Sequence, residues 1–320
     1  MVLTKAYKRK TITGNKWLDL LFILEALILL SAIVISVWFK IENVKDPNTT
    51  SYEGAEEIAD ITEVEPETQP EQETPEESVL PPRVDFQGVI DEWVRSIGGK
   101  KSVVIYDLDR DEVVGTYNPD ENYSTASLYK LFVVYEGYRR LQSGEWQGDV
   151  PAGSTGYTVR ECLDLSIRRS YSPCAETLWG MIGRNELDRI IADEYHITNS
   201  DISNLVSNPN DMVKIMRRYY EHTDIKDEGL LSLIKDSFLN QPVTEYDWRQ
   251  GLPSGFKRAI VYNKVGWDYN GSSWNVYHDV AIVEYPEQNR HYVVVVMTSQ
   301  VPFQRIRDLG TRIEAKFYAE

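Results

Sequence analysis

The chain has 320 residues, of which 42% are hydrophobic and 26% charged, and its formal net charge is −16. This length is enough for one large domain or two small ones. The acidic balance and the lack of a basic patch argue against a nucleic-acid partner. The four histidines are scattered without metal-ligand spacing, so the sequence implies neither a metal nor an organic cofactor.

An almost uninterrupted apolar run occupies residues 17–39 and is long enough to cross a bilayer core of roughly 30 Å. Five basic residues precede it, and cytoplasmic flanks are typically rich in Lys and Arg. We therefore expect a cytoplasmic basic tail over residues 1–16 and a single transmembrane signal-anchor helix over residues 17–39, with the remainder exported. A cleaved signal peptide is the alternative, but the run is long and no small-residue cleavage site follows it.

Residues 40–83 have a different composition. Within residues 41–80, thirteen Asp or Glu stand against a single Lys, with four prolines and few large apolar side chains. Such a stretch cannot bury enough apolar surface to offset the entropy lost on ordering. We expect an acidic, disordered tether over residues 40–83 that holds the following domain away from the membrane.

A globular domain is predicted over residues 84–320. In chain order the sequence predicts a helix over 85–97, a strand hairpin over 102–108 and 112–117, helices over 127–141, 158–168, 173–182, 185–195 and 210–220, strands over 261–267, 278–284 and 291–298, and a helix over 304–319. Strands at both ends with helices between them predict an α+β fold, an α/β sandwich. Its antiparallel sheet comes from both chain ends, is flanked by helices and has an inserted all-helical subdomain.

A serine and a lysine open the helix predicted over residues 127–141. Ser127 and Lys130 are three residues apart and therefore share one face of a helix. A lysine in this position can lose its proton and act as a base for the serine, as a two-residue alternative to the Ser-His-Asp triad. A surface serine and lysine on an ordinary helix is the competing interpretation.

Two further motifs follow in an informative order. The three are Ser127-Leu128-Tyr129-Lys130, Ser170-Tyr171-Ser172 and Lys264-Val265-Gly266. With this order, residues 84–320 resemble the class A β-lactamase and penicillin-recognising serine hydrolase family. That family carries Ser-x-x-Lys after a hairpin, Ser-x-Asn in the helical region and Lys-Thr-Gly on a late strand. The resemblance implies a serine hydrolase acting on β-lactam or peptidoglycan-peptide amides, exposed outside a bacterial cell membrane.

The resemblance also implies a role for each catalytic residue. Ser127 would be the acylated nucleophile and Lys130 the base that takes its proton. Ser170 would relay that proton to the leaving nitrogen of an amide. Lys264 would lower the pKa of Lys130 and attract a substrate carboxylate.

The remaining motif residues would bind substrate. The backbone N–H groups of Ser127 and Trp267 would form the oxyanion hole, and Gly266 would allow the substrate to approach the strand. Ser172 replaces the family's Asn, which would orient the catalytic lysine and bind the substrate amide. Val265 replaces a Thr or Ser that would share the substrate carboxylate, so a weaker or different carboxylate preference is expected.

A third departure from the family concerns deacylation. Class A β-lactamases hydrolyse the acyl-enzyme with a glutamate on a loop after the Ser-x-Asn motif. Between Ser172 and Pro209 the six acidic residues all lack a Glu-x-x-x-Asn context, and Asp201 is the nearest by position. The six are Glu176, Glu186, Asp188, Asp193, Glu194 and Asp201. A cell-wall peptidase that binds penicillin, or a slow β-lactamase, is therefore favoured over a fast one, and an inactive module that binds wall peptide or a partner is the second hypothesis.

Two side-chain pairs remain open. A disulfide between Cys162 and Cys174 would close the loop that carries Ser170 and would add about 2–3 kcal/mol, whereas two buried thiols are the alternative. His278 next to an aspartate suggests a triad, but the chain has no Gly-x-Ser-x-Gly elbow. We therefore expect His278 to lie on the sheet surface.

Overall fold

The computed structural model describes residues 82–242, 248–269 and 274–319. The tail and transmembrane helix predicted over residues 1–39, and all but the last two residues of the predicted tether, lie outside this part of the chain. Within it, no helix combines the length and the apolar composition needed to cross a membrane.

A five-stranded antiparallel sheet forms the centre of the described domain, in the order β2-β1-β7-β6-β5. Its strands are β1 (Lys100–Asp107), β2 (Glu112–Tyr117), β5 (Ile260–Tyr269), β6 (Trp274–Tyr285) and β7 (Arg290–Ser299). Strand β1 pairs with β7 through Val104 and Val295, so the first and last strands of the described domain meet in the middle of the sheet. A separate pair, β3 (Tyr123–Ser124) and β4 (Val206–Ser207), is also antiparallel.

Helices cover both faces of the sheet. They are α1 (Gln87–Ser96), α2 (Tyr129–Gln142), α3 (Val159–Arg168), α4 (Ser172–Ile182), α5 (Arg184–Asp193), α6 (Pro209–Glu221), α7 (Glu228–Leu239), α8 (Leu252–Gly255) and α9 (Phe303–Phe317). Helices α2 to α7 lie between β2 and β5 in the chain and form the inserted helical part, as the sequence predicts. The α+β fold is confirmed, and each predicted helix and strand is present with ends displaced by a few residues.

The helix α7 is absent from the sequence prediction, although the chain carries a start signal for it. The carboxylate of Asp227 accepts a hydrogen bond from the Leu230 N–H at 2.8 Å and so caps the helix. A capping box begins α3, because Thr158 and Glu161 each accept a hydrogen bond from the other's backbone N–H.

The valine-rich strand β7 is buried on both faces, and its side chains alternate between two apolar layers. Val293 and Val295 belong to the layer shared with the helices α2 to α7. Val294 and Val296 belong to the layer shared with α1 and α9. Burying each such side chain contributes roughly 1.5–3 kcal/mol, so this strand anchors both layers.

Candidate active site

The proposed nucleophile lies on a strained turn. Ser127 is the middle residue of a 3₁₀ turn, Ala126–Leu128, which runs directly into α2. The preceding residue, Ala126, has a φ of 44°, a left-handed conformation that alanine rarely adopts. Strain of this kind costs about 1–3 kcal/mol and persists only where surrounding contacts impose it. One such contact is the hydrogen bond from the Thr125 N–H to the Leu205 carbonyl at 2.7 Å.

The ammonium of Lys130 brings two of the three sequence motifs together. It is fully buried, and its Nζ lies 3.2 Å from the Oγ of Ser127, 3.0 Å from that of Ser172 and 3.2 Å from that of Ser170. It also donates a hydrogen bond to the backbone carbonyl of Ser170. Burial lowers the pKa of Lys130 to about 8, against the opposing pull of the Glu176 carboxylate. The neutral form that a base requires is therefore accessible near neutral pH.

The third motif joins through Lys264 on β5. Its Nζ lies 2.9 Å from the Oγ of Ser170 and 2.8 Å from the carbonyl oxygen of Val265. Burial, and then the Lys130 ammonium, hold the pKa of Lys264 well below its ordinary value, while Asp279 opposes the shift. The first cause of the lowered pKa of both lysines is burial.

Ser170 lies between the two lysines. Its φ of 51° is again left-handed, and its Oγ is within hydrogen-bond distance of both Lys130 and Lys264. A hydroxyl that accepts from two ammonium groups keeps its own hydrogen free to donate elsewhere. Ser170 is therefore placed to give a proton to a third group in the cleft.

A disulfide closes the loop that carries Ser170. Cys162 in α3 is bonded to Cys174 in α4, with their Cα atoms 4.8 Å apart. This confirms the predicted bridge over the alternative of free thiols. The bridge ties α3 to the first turn of α4, and the connection between the two helices presents Ser170 and Ser172 to the lysine.

Gly266 is required by packing inside the protein. A Cβ added there would lie 2.7 Å from the Thr125 carbonyl oxygen and 2.8 Å from a side-chain carbon of Leu128. Strand β5 therefore packs directly against the turn that holds Ser127. This contact is a different reason for the glycine from the substrate approach that the sequence analysis predicts.

The other two predicted substrate-binding residues, Val265 and Trp267, lie in different surroundings. Val265 is 2% exposed and belongs to the apolar layer under α1 and α9, on the sheet face opposite to Lys264. Its side chain is therefore not among those that the structure gathers around the serines. Trp267 is half-buried, and its ring packs edge-on against that of Trp248 at 5.7 Å.

Sequence reasoning did not predict that two further side chains, those of His278 and Glu176, lie beside the residues that flank Ser127. The surface role predicted for His278 is wrong, because the side chain is fully buried. The alternation of β6 places it on the same sheet face as the buried Val280, which is a signal that the sequence already carried. Glu176 is the second: its carboxylate accepts hydrogen bonds from the Tyr129 hydroxyl at 2.7 Å and from Arg184. No local pattern links α4 to the start of α2, so only the tertiary structure reveals that contact.

Comparisons with known proteins agree with this fold. The structure of PBP-A superposes with a TM-score of 0.62 at 16% identity, covering 76% of this chain and 100% of PBP-A. A beta lactamase from Xanthomonas campestris pv. campestris gives 0.62 at 14% identity, covering 72% and 96% of the two chains. An ancestral class A beta-lactamase gives 0.61 at 18% identity, covering 72% and 98%. No curated protein sequence matches this chain.

These likenesses define the fold as that of the β-lactamases and PBP-A, and the motif residues define a serine hydrolase related to them. A family model described as the beta-lactamase enzyme family matches residues 85–318. The chain therefore belongs to the beta-lactamase enzyme family.

Proposed function

We propose that this protein is a membrane-anchored, extracytoplasmic serine hydrolase that forms an acyl-enzyme on Ser127 with β-lactam or cell-wall peptide amides and deacylates slowly. The observation that carries the proposal is the convergence of three serine hydroxyls on one buried lysine, with Ser127 Oγ 3.2 Å from Lys130 Nζ. A lysine that is buried and close to a hydroxyl is the arrangement that serine–lysine acyl transfer needs.

The proposed reaction begins with neutral Lys130. As the Oγ of Ser127 attacks the amide carbonyl carbon, its proton passes to Nζ of Lys130, and the carbonyl electron pair moves onto the oxygen. When the tetrahedral intermediate collapses, the C–N bond breaks and Ser170 donates its proton to the leaving nitrogen. Ser170 recovers a proton from one of the two lysines that contact it. The product is an ester of Ser127.

Both lysines contribute to the electrostatics of this step. With a pKa of about 8, roughly a tenth of the Lys130 side chains are neutral at pH 7. The proton taken from Ser127 restores the Lys130 ammonium, and the matching negative charge develops on the carbonyl oxygen of the tetrahedral intermediate. A substrate that brings a carboxylate would offset the repulsion between Lys130 and Lys264, and this supports an anionic peptide or β-lactam as the substrate.

Slow deacylation is supported by the state of the acidic side chains near the cleft. Glu176 is the carboxylate that acts on the pKa of Lys130, but Tyr129 and Arg184 both donate hydrogen bonds to it. Each of its two carboxylate oxygens therefore already accepts a hydrogen bond from a protein side chain. Glu176 is therefore poorly suited to activate a hydrolytic water.

The other five acidic residues between Ser172 and Pro209 are also occupied by partners. Glu186 and Asp193 pair with Arg189, Glu194 pairs with Arg139, Asp188 accepts from the Ile202 N–H, and Asp201 accepts from Ser203 and Asn204. This supports an acyl-enzyme that accumulates, because each of these carboxylates already has a partner and is not available as a base for the hydrolytic water.

The proposed location rests on the N-terminal sequence. The apolar run over residues 17–39, its basic flank and the acidic stretch over residues 40–83 support a domain displayed on the outer side of a bacterial cell membrane. A disulfide beside the cleft is consistent with an oxidising compartment. A domain in that position would meet peptidoglycan peptides as natural substrates.

The test is to incubate the full-length protein in detergent with a fluorescent penicillin and to follow its intact mass over time, with Ser127→Ala as the control. We expect an adduct of the mass of the reporter that persists for many minutes and is absent in the variant. Rapid product release without an adduct would contradict slow deacylation and indicate a β-lactamase. Neither adduct nor product, with a peptide substrate also unreacted, would contradict acyl transfer and favour the binding module.

A further inference from the structure

We propose that His278 is a positioning residue for the nucleophile: its imidazole holds the Ser124 carbonyl, three residues before Ser127, and thereby sets where Ser127 Oγ lies. The inference rests on the acyl transfer proposed above, because it assigns a part in that reaction to a side chain outside the three motifs. His278 lies on β6, more than a hundred residues from Ser127 in sequence.

The hydrogen bonds of His278 select one tautomer. The N–H of Thr298 lies 3.0 Å from Nδ1, and a backbone N–H can only donate, so Nδ1 is the acceptor. Nε2 therefore carries the ring hydrogen and donates it to the Ser124 carbonyl oxygen at 2.8 Å. Burial lowers the pKa of His278 to about 4, so the ring stays neutral and this pattern holds at physiological pH.

The imidazole is enclosed on its other sides. The ring of Tyr123 packs edge-on against it with the centroids 5.5 Å apart. A Cβ on Gly266 would come within 3.1 Å of its Cδ2 atom, so the glycine leaves room for the ring as well as for the turn. His278 thus connects Thr298 on the central strand β7 to Ser124, two residues before the strained turn begins at Ala126, with little freedom to move.

This connection matters because the turn has a strained backbone conformation that must be held by contacts from outside it. Ala126 holds a left-handed φ, which relaxes unless neighbouring contacts impose it. The two residues before it are both held: Ser124 by His278, and Thr125 by the carbonyl of Leu205. Loss of the imidazole donor would let the Ser124 carbonyl move, and Ser127 Oγ would leave its position beside Lys130.

Two substitutions separate the functions of the two ring nitrogens. In His278→Gln the longer amide reaches the place of Nε2, so a donor to Ser124 is kept. In His278→Asn the shorter amide reaches the place of Nδ1, so an acceptor for Thr298 is kept and the donor to Ser124 is lost. Both side chains are neutral and polar, so each variant serves as the control for the other.

The experiment measures the acylation rate of the full-length protein by a fluorescent penicillin, together with hydrogen exchange of the peptide that spans residues 124–130. We expect His278→Asn to acylate roughly 10- to 100-fold more slowly and to exchange faster in this peptide, with melting temperature close to that of His278→Gln. His278→Gln should stay within about threefold of the wild type. Equal acylation and exchange in all three proteins would overturn the proposal, and so would equal losses in both variants.

Failure of the proposed function can be told apart from failure of this inference. If the wild type forms no acyl-enzyme, acyl transfer fails, while faster exchange of residues 124–130 in His278→Asn alone still supports the role of His278. If neither variant folds, the imidazole ¹⁵N shifts of the wild type decide. A hydrogen on Nε2 supports the proposal, and a hydrogen on Nδ1 overturns it.

Discussion

The cleft around Ser127 buries polar side chains, whereas the layer between the sheet and helices α1 and α9 is apolar. The cleft buries the polar side chains of Lys130, Lys264 and His278. The layer under α1 and α9 is formed by apolar side chains, such as Trp93 and Ile306, packed against the outer face of the sheet. The two regions share the same strands, so they differ in composition rather than in backbone architecture.

The difference shows where stability and reactivity reside in this domain. A buried ammonium is unfavourable without a full set of partners, and two left-handed residues add backbone strain beside it. Both conditions reduce stability, and burial also keeps Lys130 close to losing its proton. The apolar layers must offset this loss of stability. Variants in the two regions test whether the cleft supplies reactivity and the apolar layers supply stability.

The largest expected effect is on reactivity, in Lys130→Met. Methionine has a similar length but no base, so acylation of Ser127 should fall by about 10²–10⁴-fold. The free energy of unfolding should be unchanged or higher, because a buried cation is removed. Acylation by a fluorescent penicillin and urea denaturation measure the two quantities. A large loss of stability would contradict the comparison.

The counterpart in the apolar layer is Trp93→Ala. Trp93 is 1% exposed, and its Nε1 donates to the Arg305 carbonyl at 2.7 Å. Unfolding free energy should fall by about 3–5 kcal/mol, while the folded protein should acylate at nearly the wild-type rate. Met181→Ala, at a site that is 41% exposed, is the control and should change stability by less than about 0.5 kcal/mol. If folded Trp93→Ala also lost acylation, the apolar layer and the cleft would not have separate roles.

The pH dependence should also separate the two regions. Below the pKa of Lys130, about 8, acylation should rise by about tenfold per pH unit, and above it the rate should level off. The folded pKa lies below the ordinary 10.5, so between these values the unfolded chain binds more protons and stability rises with pH. Stopped-flow acylation and denaturation at each pH test this. The stability rise should be smaller in Lys130→Met, and an undiminished rise there would assign it to another group.

The smallest effect is expected for Val265→Thr, which restores the family's motif. Because Val265 faces the apolar layer, its new hydroxyl would be buried, and stability should fall by about 1–2 kcal/mol without faster acylation. Val113→Thr, at a site that is 44% exposed, is the matched control and should be nearly neutral. Faster acylation by a carboxylate-bearing β-lactam in Val265→Thr would instead show that the side chain at this position contacts the substrate.

Local chemistry in the sequence determined most of the fold and the order of the motifs. The alternating valines of β7, the capping box of Thr158 and the Ser127–Lys130 spacing all depend on neighbours within a few residues. Such patterns report the periodicity of a helix or strand, which is set by short-range sterics. That is why the elements and two candidate catalytic residues could be predicted before the structure.

Which side chains meet depends on how the helices and strands pack in three dimensions. The face that Val265 presents, the protein atoms that require Gly266, and the bond from His278 to Ser124 depend on how distant elements pack. The same holds for the pairing of Cys162 with Cys174, which spacing left open. These contacts join residues that are close in space but far apart in sequence, or residues whose pairing the sequence spacing left open. Packing of whole elements selects among arrangements that local patterns allow equally.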